Sequence, residues 1–385
     1  MTATRSPERR SVRSSPVASE LGSRVGESPT SIIRGLSTLD RFLPLWIFAA
    51  MAAGLLLGRA FPGLGAMLDR VQVAGVSVPI GIGLLWMMYP VLAKVRYEFI
   101  GQHVANGKLL GTSLLFNWLL GPIVMFALAW AFLPDLPHYR NGLVLIGLAR
   151  CIAMVLIWNS LACGSNELAA VLVAFNSVFQ ILTYSIFGWL FLSVVPGWFG
   201  ADAAVVNVSM WAIAKSVLIF LGVPLLAGYL TRRLLVARRG ESWYTGTFMP
   251  RFGPTALLGL LYTIVLMFAM QGDRILALPL DVLRIAVPMV VYFFVMFGLA
   301  FVLSAKLGFG YEETASLSFT AAGNNFELAI AVAVATFGIA SGEALAAVIG
   351  PLIEVPVLVG LVYVSLWARR RFFAEGEFHA LRSDL

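Results

Sequence analysis

Three side chains within long apolar runs have types that suit transport chemistry better than packing. Cys151 supplies a soft thiol, Glu327 a carboxyl group and Arg150 a permanent cation. A thiolate binds thiophilic ions, and apolar surroundings favour the neutral form of a carboxyl group, which can then take up and release protons. Ionisable groups inside apolar helices are costly and commonly mark substrate or proton pathways. The sequence therefore predicts a proton or substrate site at Glu327, with Cys151 as a candidate soft ligand.

Glu327 follows a run of residues that should interrupt a helix. Gly323, Asn324 and Asn325 precede it in the segment TAAGNNFELAIAVAVATFG. Broken helices at mid-membrane depth commonly mark binding sites, because their freed backbone groups face protein or water. The structural alternative is that Asn324 caps the second half-helix and Glu327 completes a capping box.

Arg150 and Cys151 have structural alternatives as well. An arginine at this depth is costly unless it is paired or hydrated, so a bridge to Glu327 would explain it without a transport role. A buried cysteine is often only a small apolar residue, and we assign that role to Cys163, near the end of the same run. At a half-helix N-terminus beside a cation, the thiolate of Cys151 is favoured over the thiol. Two such distant cysteines predict neither a disulfide framework nor a structural zinc site.

A wider set of polar side chains lies in four of the apolar runs. Most of them suit hydrogen bonds between membrane helices. Glu354 differs because it is ionisable and lies between Pro351 and Pro356, where it either joins the site directly or bonds a backbone group that the prolines free. The set consists of Asn117, Asn159, Asn176, Ser177, Gln180 and Glu354. We predict that Asn117, Asn176, Ser177 and Glu354 surround the site.

Helices that span a membrane must position these residues. Only 12% of the 385 residues are charged, about half the ~25% of soluble domains, whereas 59% are hydrophobic. Ten apolar runs approach the ~20 residues that cross a bilayer, which predicts an all-α integral membrane protein with ten transmembrane helices. The predicted spans are 43–60, 76–93, 109–132, 141–162, 168–194, 208–230, 254–271, 284–305, 312–338 and 343–368.

The cations divide unequally between the two sides that ten spans define. Twenty Lys and Arg residues fall on the side of both termini and five on the other, so the positive-inside rule predicts cytoplasmic termini. The net charge of +7 then has a topological cause, and nucleic-acid binding is not predicted. Residues 1–41, rich in Ser, Arg, Pro and Glu, predict a disordered cytoplasmic tail, and residues 369–385 a second tail.

A weak internal repeat relates the two halves of the chain. A shift of 177 residues superposes LAAV at 168–171 on LAAV at 345–348, and lays spans four and five on spans nine and ten. The repeat units are then 42–194 and 208–368. An odd number of spans makes the second unit enter the membrane from the opposite side, which is the inverted-repeat plan of secondary transporters.

The same shift predicts which residues meet at the centre. It aligns Gly147 with Asn324 as half-helix starts, and Arg150 with Glu327. Two half-helix starts that are related by a pseudo-two-fold axis should meet near the midplane. We therefore predict that Arg150 contacts Glu327 directly or through one water molecule, and that this contact links protonation to Cys151.

Two segments closely resemble the arsenite efflux permeases of arsenical resistance, within the bile acid/sodium symporter superfamily. They are GLARCIAMVLIWNSLACGSNELAAVLVAFNSVFQ at 147–180, and AAGNNFELAIAVAVATFG at 321–338 with the following GPLIEVPVLVGLVYVSLW. The resemblance covers about residues 42–370. It implies two inverted five-helix repeats, broken crossing helices four and nine, and a panel domain of spans one, two, six and seven beside a core domain.

The resemblance also implies roles for individual residues. A cysteine in span four and a glutamate in span nine are essential in that family, and they match Cys151 and Glu327. At neutral pH arsenite is mostly an uncharged trihydroxide, so one thiol with amide and carboxyl neighbours would bind and still release it, whereas three thiolates would hold it too tightly. The long N-terminal tail departs from the compact start of that family.

Together these features predict a plasma-membrane exporter of arsenite that uses inward proton movement through Glu327, with antimonite as a further candidate substrate. Neither enzymatic activity nor a cofactor is expected. The alternative is a sodium-coupled organic-anion symporter of the same superfamily, which would have no chemical need for Cys151. A membrane sensor is a third hypothesis, but the tails contain no recognisable output domain. The predicted binding residues are Arg150, Cys151, Asn324, Asn325 and Glu327, surrounded by Asn117, Asn176, Ser177 and Glu354.

Overall fold

The computed structural model describes residues 42–68, 70, 72–73, 76–95, 107–152, 154–199, 209–277, 279–338 and 341–373. These residues are mainly helical, which confirms the predicted all-α class for this part of the chain. Two strands of two residues, β1 (Gln72–Val73) and β2 (Val76–Ser77), form a short antiparallel pair. The predicted tail 1–41 and residues 374–385 of the second tail lie outside the described residues.

The helices follow the apolar runs of the sequence. In chain order they are α1 (Leu43–Ala60), α2 (Leu64–Leu68), α3 (Val78–Lys94), α4 (Gly107–Phe132), α5 (Pro137–Leu148), α6 (Met154–Leu161), α7 (Asn166–Trp198), α8 (Met210–Arg239), α9 (241–252), α10 (Thr255–Ala277), α11 (Pro279–Lys306), α12 (Tyr311–Ala322), α13 (Phe326–Phe337) and α14 (Gly342–Phe372).

Each of the ten predicted spans overlaps one helix, except that spans four and nine each overlap two. Six helices of the described part are long and apolar enough to cross a bilayer, and shorter apolar helices accompany them. The chain is therefore a multi-pass membrane protein. Several helices exceed the predicted spans: α8 continues to Arg239 and α14 to Phe372, because a helix can continue beyond its apolar stretch into polar surroundings.

Prolines explain an irregularity that recurs in four helical segments. Each contains a wider π-helical turn, and each of these turns ends two residues before a proline. Proline lacks an N–H and its ring clashes with the carbonyl one turn earlier, so the helix widens to accommodate it. The turns are Leu115–Leu120, Leu190–Val194, Leu218–Gly222 and Tyr244–Phe248, followed by Pro122, Pro196, Pro224 and Pro250.

The helices pack in two groups. In the first group, α10 packs against α1 and α3, and the second half of α8 packs against α3. Gly58 of α1 permits a close approach, because a Cβ atom at this position would collide with the backbone of Ala269 in α10. In the second group, α5, α11 and α13 pack against α14, while α11 also contacts α4 and α12. The first half of α8 contacts α7 and α13, and so connects the two groups.

Polar contacts hold several helix starts together at one end of the second group. Arg284 of α11 forms a bidentate ion pair with Asp135, which precedes α5, with N–O distances of 2.9 and 2.5 Å. The hydrogen bonds from Arg284 hold the pKa of the Asp135 carboxyl group below its ordinary value. His138 Nδ1 of α5 lies 3.0 Å from Oε1 of Glu343, a buried residue in the first turn of α14.

Candidate functional site

Two helix interruptions lie side by side near the middle of the second group. The first separates α5 from α6 between Leu148 and Met154, and the second separates α12 from α13 between Ala322 and Phe326. The interruption predicted before Glu327 is therefore present, and so is the broken span four that the family resemblance implied. The surrounding main chain is buried, so its freed N–H and C=O groups require partners.

The two interruptions satisfy each other's backbone groups. Cys151 N–H donates to Gly323 O at 3.2 Å, and Asn325 N–H donates to Ala149 O at 3.0 Å. Between these bonds, Arg150 and Asn324 form an isolated antiparallel β-bridge. The arrangement joins the two broken segments without any side chain.

These contacts correct the predicted equivalence between the halves. A shift of 174 residues superposes α5 (Pro137–Leu148) on α12 (Tyr311–Ala322) and Arg150 on its bridge partner Asn324. The predicted shift of 177 is wrong here, because it rested on the LAAV match outside the interruption. Gly147 is also not a helix start, since it lies one residue before the end of α5.

Cys151 and Asn325 occupy matching positions ahead of the second half-helices. Asn325 Oδ1 accepts a hydrogen bond from Leu328 N–H at 3.0 Å and caps α13. Cys151 Sγ accepts one from Val155 N–H at 3.3 Å, within the first turn of α6. The predicted cap at Asn324 with a capping box to Glu327 is wrong, because the cap lies one residue later.

Arg150 is fully buried, and its side chain turns toward the other pair of helix ends. The guanidinium group donates to Ala321 O at 3.3 Å, to Gly147 O, and to Tyr292 Oη of α11 at 3.0 Å. These carbonyls lie in the last turns of α12 and α5, where a cation complements the helix dipole. Gly121 of α4 leaves the space that the guanidinium group occupies.

The direct contact predicted between Arg150 and Glu327 is wrong, and a contact through one water molecule stays a prediction. Their main chains lie near each other at the bridge, but the side chains diverge: Arg150 satisfies helix C-termini, and Glu327 lies in the first turn of α13. No ion pair within 4.0 Å joins them among the described residues. The alternative in which Arg150 serves only as the counterion of Glu327 is therefore also excluded.

Glu327 lines a narrow crevice between the two helix groups. The first group contributes four apolar side chains to this crevice, which has no room for a water molecule. They are Leu84 and Met88 of α3 with Phe220 and Leu221 of α8. On the other side Glu327 is flanked by Asn325 and Leu328. A carboxyl group at this position faces the surface along which the two groups meet.

Glu354 is the second carboxyl group near the interruptions. It is buried in α14, and Oε1 accepts a hydrogen bond from Asn324 N–H at 3.4 Å. The freed backbone group that it bonds thus belongs to the neighbouring broken helix rather than to its own proline-flanked segment. Glu354, Glu327 and Cys151 lie within electrostatic range of one another, so a proton gained or lost at one of them changes the field at the others.

Buried amide groups without partners distinguish this region from an ordinary helix interface. Both side-chain polar atoms of Asn324 lack a hydrogen-bond partner within the described residues, as do single polar atoms of other side chains. These atoms are Asn325 Nδ2, Gln180 Nε2, Asn176 Nδ2, Asn117 Oδ1 and Arg150 Nε. Buried polar atoms are normally satisfied by protein, water or ligand, so these atoms are available to hydrogen-bond a polar solute.

Asn117 and Asn176 belong to the helices that support the interruptions. Asn117 Nδ2 donates to Ser113 O at 2.9 Å, one turn earlier in α4. Asn176 Oδ1 accepts from Trp118 Nε1 at 3.1 Å and thereby joins α7 to the widened turn of α4. Each residue thus uses one amide atom for structure and keeps the other without a partner.

Other polar residues of the predicted set have local roles. Ser177 Oγ donates to Val173 O at 2.7 Å within α7. Asn159 lies in the last turn of α6, where its side chain bonds Asn166 and Ser316. Cys163 follows the end of α6, is half-buried and has a positive φ of 56°. The hydrogen bonds of Ser177 and Asn159 are thus made to α7 and α12 rather than to the interrupted segments.

Two residues of the site were not predicted. Gln180 was assigned to helix packing, yet its Oε1 accepts a hydrogen bond from Arg150 N–H at the bridge. Tyr292 was not singled out, because one hydroxyl in the apolar run of α11 carries no local signal. The sequence did contain one indication for Gln180: it lies one turn after Asn176 and therefore on the same helix face as that predicted site residue.

The chain is similar to known transporters over most of its length. The model of the Sodium Bile acid symporter family matches residues 81–278. Arsenical-resistance protein Acr3 of Corynebacterium glutamicum is 53% identical over 338 residues, covering 88% of this chain and 91% of that protein. Arsenical-resistance protein Acr3 of Alkaliphilus metalliredigens is 32% identical over 350 residues, covering 88% and 95%. An uncharacterized transporter of Synechocystis sp. is 35% identical over 359 residues, covering 88% and 91%.

Proposed function

Because this chain belongs to the arsenical-resistance permease family within the bile acid/sodium symporter superfamily, we propose that it exports arsenite in exchange for protons. The observation that carries this proposal is one thiol, two carboxyl groups and a set of unpartnered amides around paired helix interruptions. The relatives named for arsenical resistance support the choice of metalloid.

The proposed substrate is the neutral trihydroxide of trivalent arsenic, and antimonite is a further candidate. Cys151 supplies the soft ligand, and the unpartnered atoms of Asn324, Asn325, Asn176 and Asn117 supply hydrogen bonds to the hydroxyl groups. A single thiol leaves the substrate free to depart. Ser177 and Glu354 belong to the surrounding shell of the proposed site, with Glu354 acting through its bond to Asn324 N–H.

Proton exchange is assigned to Glu327. Its carboxyl group faces the crevice between the helix groups, so relative movement of the groups would expose it to water on one side or the other. Protonation of Glu327 would remove a negative charge near Cys151 and favour its thiolate, so the proton and the substrate site would be coupled. Arg150 keeps the half-helices in register and is a positioning residue in this scheme.

The proposed architecture has ten transmembrane helices in two inverted five-helix repeats, 42–194 and 208–368, with cytoplasmic tails 1–41 and 369–385. The helices α5 and α12, which are equal in length and superpose under a 174-residue shift, support the inverted repeat. The group of α1, α3, α8 and α10 corresponds to the panel domain, and the other group to the core domain. Movement of core against panel gives alternating access across the plasma membrane, and the uneven distribution of cations supports cytoplasmic termini.

The alternative is a sodium-coupled organic-anion symporter, which the description of the matching family model favours. Its sodium sites would use amides, carbonyls and carboxylates, which are also present around the interruptions. It would have no chemical need for Cys151.

Everted membrane vesicles provide the test. We expect them to accumulate arsenite when the interior is acidified, to lose this uptake when a protonophore collapses the gradient, and to show no dependence on sodium. Uptake that requires a sodium gradient and persists without a proton gradient would favour the alternative. Absence of arsenite uptake from vesicles that contain the inserted protein would contradict the proposed function.

A further inference from the structure

Five exposed cations lie at one end of the first helix group. Lys94 is in the last turn of α3, Arg233, Arg238 and Arg239 are in the last turns of α8, and Arg251 is in α9. None of the five has a carboxylate partner among the described residues. We call these residues the basic surface.

Aromatic residues fix these helix ends against one another. The hydroxyl groups of Tyr89 in α3 and Thr231 in α8 are 2.7 Å apart. Tyr244 Oη donates to Ala93 O at 2.7 Å, and the ring of Phe252 contacts that of Tyr89 edge-on at 5.1 Å. The ends of α3 and α8 and the segment α9 therefore form one packed unit, and their cations share a surface.

The acidic charge nearest to this surface is already neutralised. Glu241 is the only acidic residue from Val223 to Phe252 in the sequence. Both of its carboxylate oxygens accept hydrogen bonds from Arg232, at 2.9 and 3.1 Å, and Arg232 is buried. Within the part of the chain that the structure describes, the five exposed cations thus keep an uncompensated positive charge.

Aromatic side chains also hold two of these cations at defined positions. The guanidinium carbon of Arg239 lies 4.6 Å from the centre of the Trp243 ring, and Arg233 Nη1 donates to Tyr229 Oη at 3.3 Å. Tryptophan and tyrosine beside cations at the end of an apolar helix are typical of the membrane–water interface. Cations that serve only to set the orientation of the chain in the membrane need a net positive charge. They do not need to be held in place by aromatic side chains.

We propose that the basic surface binds the phosphate groups of anionic phospholipids in the leaflet that it faces. Clustered cations directly beside a membrane helix attract such headgroups, and arginine donates several hydrogen bonds to phosphate. The bound lipid anchors the first helix group while the second group carries the substrate site.

The test compares two double variants in lipid nanodiscs of phosphatidylcholine with and without phosphatidylglycerol. Arg238→Gln/Arg239→Gln removes two cations of the basic surface. Arg59→Gln/Arg70→Gln is the matched control, because these exposed arginines lie near the end of α1 and before the start of α3, at the opposite end of the group. Native mass spectrometry counts retained lipids, and thermal unfolding measures stabilisation by the anionic lipid.

Wild type and the control should retain phosphatidylglycerol and be stabilised by it, whereas Arg238→Gln/Arg239→Gln should bind it more than about tenfold more weakly. Arg238→Lys/Arg239→Lys should keep most of the preference, and it provides the comparison if the glutamine variant inserts poorly. Equal lipid preference in the glutamine variant and the control would overturn the proposal. The proposal would also be overturned if inorganic phosphate in detergent stabilised the wild-type protein as much as phosphatidylglycerol does. Arsenite transport is not used, so this result is independent of the proposed function.

Discussion

At the scale of single residues, Cys151 has a structural role that can be separated from its proposed role as a ligand. Its sulfur accepts a hydrogen bond from the first turn of α6, as the amide oxygen of Asn325 does for α13. Serine is among the best residues for such a capping position, so a serine substitution separates the soft ligand from the cap. This separation makes the thiol testable without loss of the fold.

We expect Cys151→Ser to lower arsenite transport at least about tenfold while membrane insertion and thermal stability stay near those of wild type, because oxygen is a poor ligand for a thiophilic ion. Cys163→Ser is the matched control and should transport normally, since Cys163 lies beyond the end of α6. Transport by Cys151→Ser at the wild-type rate would return Cys151 to a packing role.

Glu327 is the second residue whose role can be isolated. Because Asn325 provides the cap of α13, the capping-box explanation for Glu327 no longer applies. Glu327→Gln keeps the shape of the side chain and removes its proton exchange, so proton-driven uptake into vesicles should fall at least about tenfold. Glu327→Asp should retain part of it. Glu343→Gln, at the far start of α14, controls for loss of a buried carboxyl group, and normal proton-driven uptake by Glu327→Gln would refute the proton role.

At the scale of helices, the polarity of the half-helix ends organises the site. The C-terminal turns of α5 and α12 share the guanidinium group of Arg150, whereas Cys151, Asn325 and Glu327 lie at the N-terminal ends of α6 and α13. Cations favour the first kind of end and electron-rich groups the second. Helix dipoles thus provide a reason for the direction that each side chain takes.

Arg150→Met should destabilise the protein in detergent, because it leaves two buried carbonyls without a partner at about 1–3 kcal/mol each. Tyr292→Phe removes one hydrogen bond of the same group and should cost only about 1 kcal/mol. Since Arg150 does not pair with Glu327, residual transport should keep the pH profile of wild type. Thermal unfolding measures the loss of stability, and transport assayed at several pH values measures the pH profile. A shifted profile would support the predicted coupling between Arg150 and the protonation of Glu327.

The ion pair at the start of α5 gives a prediction for pH. The pKa of Asp135 is lowered in the fold, so its contribution to stability is present above the ordinary value of 3.8 and is lost as pH falls through the lowered value. Both partners are exposed, and the effect should be small and weaker in high salt. Asp135→Asn should unfold slightly earlier than wild type at neutral pH, and the difference should vanish in strong acid. A difference that persists in acid would contradict this explanation.

At the scale of the whole molecule, the crevice beside Glu327 separates the two helix groups. The side of the crevice opposite Glu327 is formed by apolar side chains of α3 and α8. Movement of the two groups along this side would therefore break no polar contacts there. Such movement is what alternating access at a central site requires.

Cross-linking across this crevice tests the movement. A Met88→Cys/Leu328→Cys pair, in a chain with Cys163→Ser, joins α3 to α13 through a disulfide formed by a mild oxidising reagent, because the crevice is too narrow for a longer link. We expect transport to stop after cross-linking and to return when the disulfide is reduced. Each single cysteine variant, treated with the same reagent, controls for modification of Cys151, and unimpaired transport by the cross-linked pair would exclude relative movement at this position.

The sequence alone determined the features that follow from composition and local pattern. Long apolar runs can be buried only in a membrane or a helix core, so the ten helical regions were predictable, and Gly323 with two asparagines was sufficient to indicate a break before Glu327. Glu327 stood out because a carboxyl group beside such a break is costly, whereas Cys151 stood out through the family resemblance.

The tertiary structure decided the register and direction of the contacts. A repeat found from LAAV could be aligned within a few residues, but only the bounds of α5 and α12 define the shift at the interruptions. Attraction between opposite charges suggested that Arg150 faces Glu327, yet unsatisfied carbonyls at two helix ends compete for the same cation. The position of these carbonyls depends on how four half-helices cross. The hydrogen bonds of Gln180 and Tyr292 with Arg150 depend on the same crossing. Local sequence carries no information about contacts between segments so far apart in the chain.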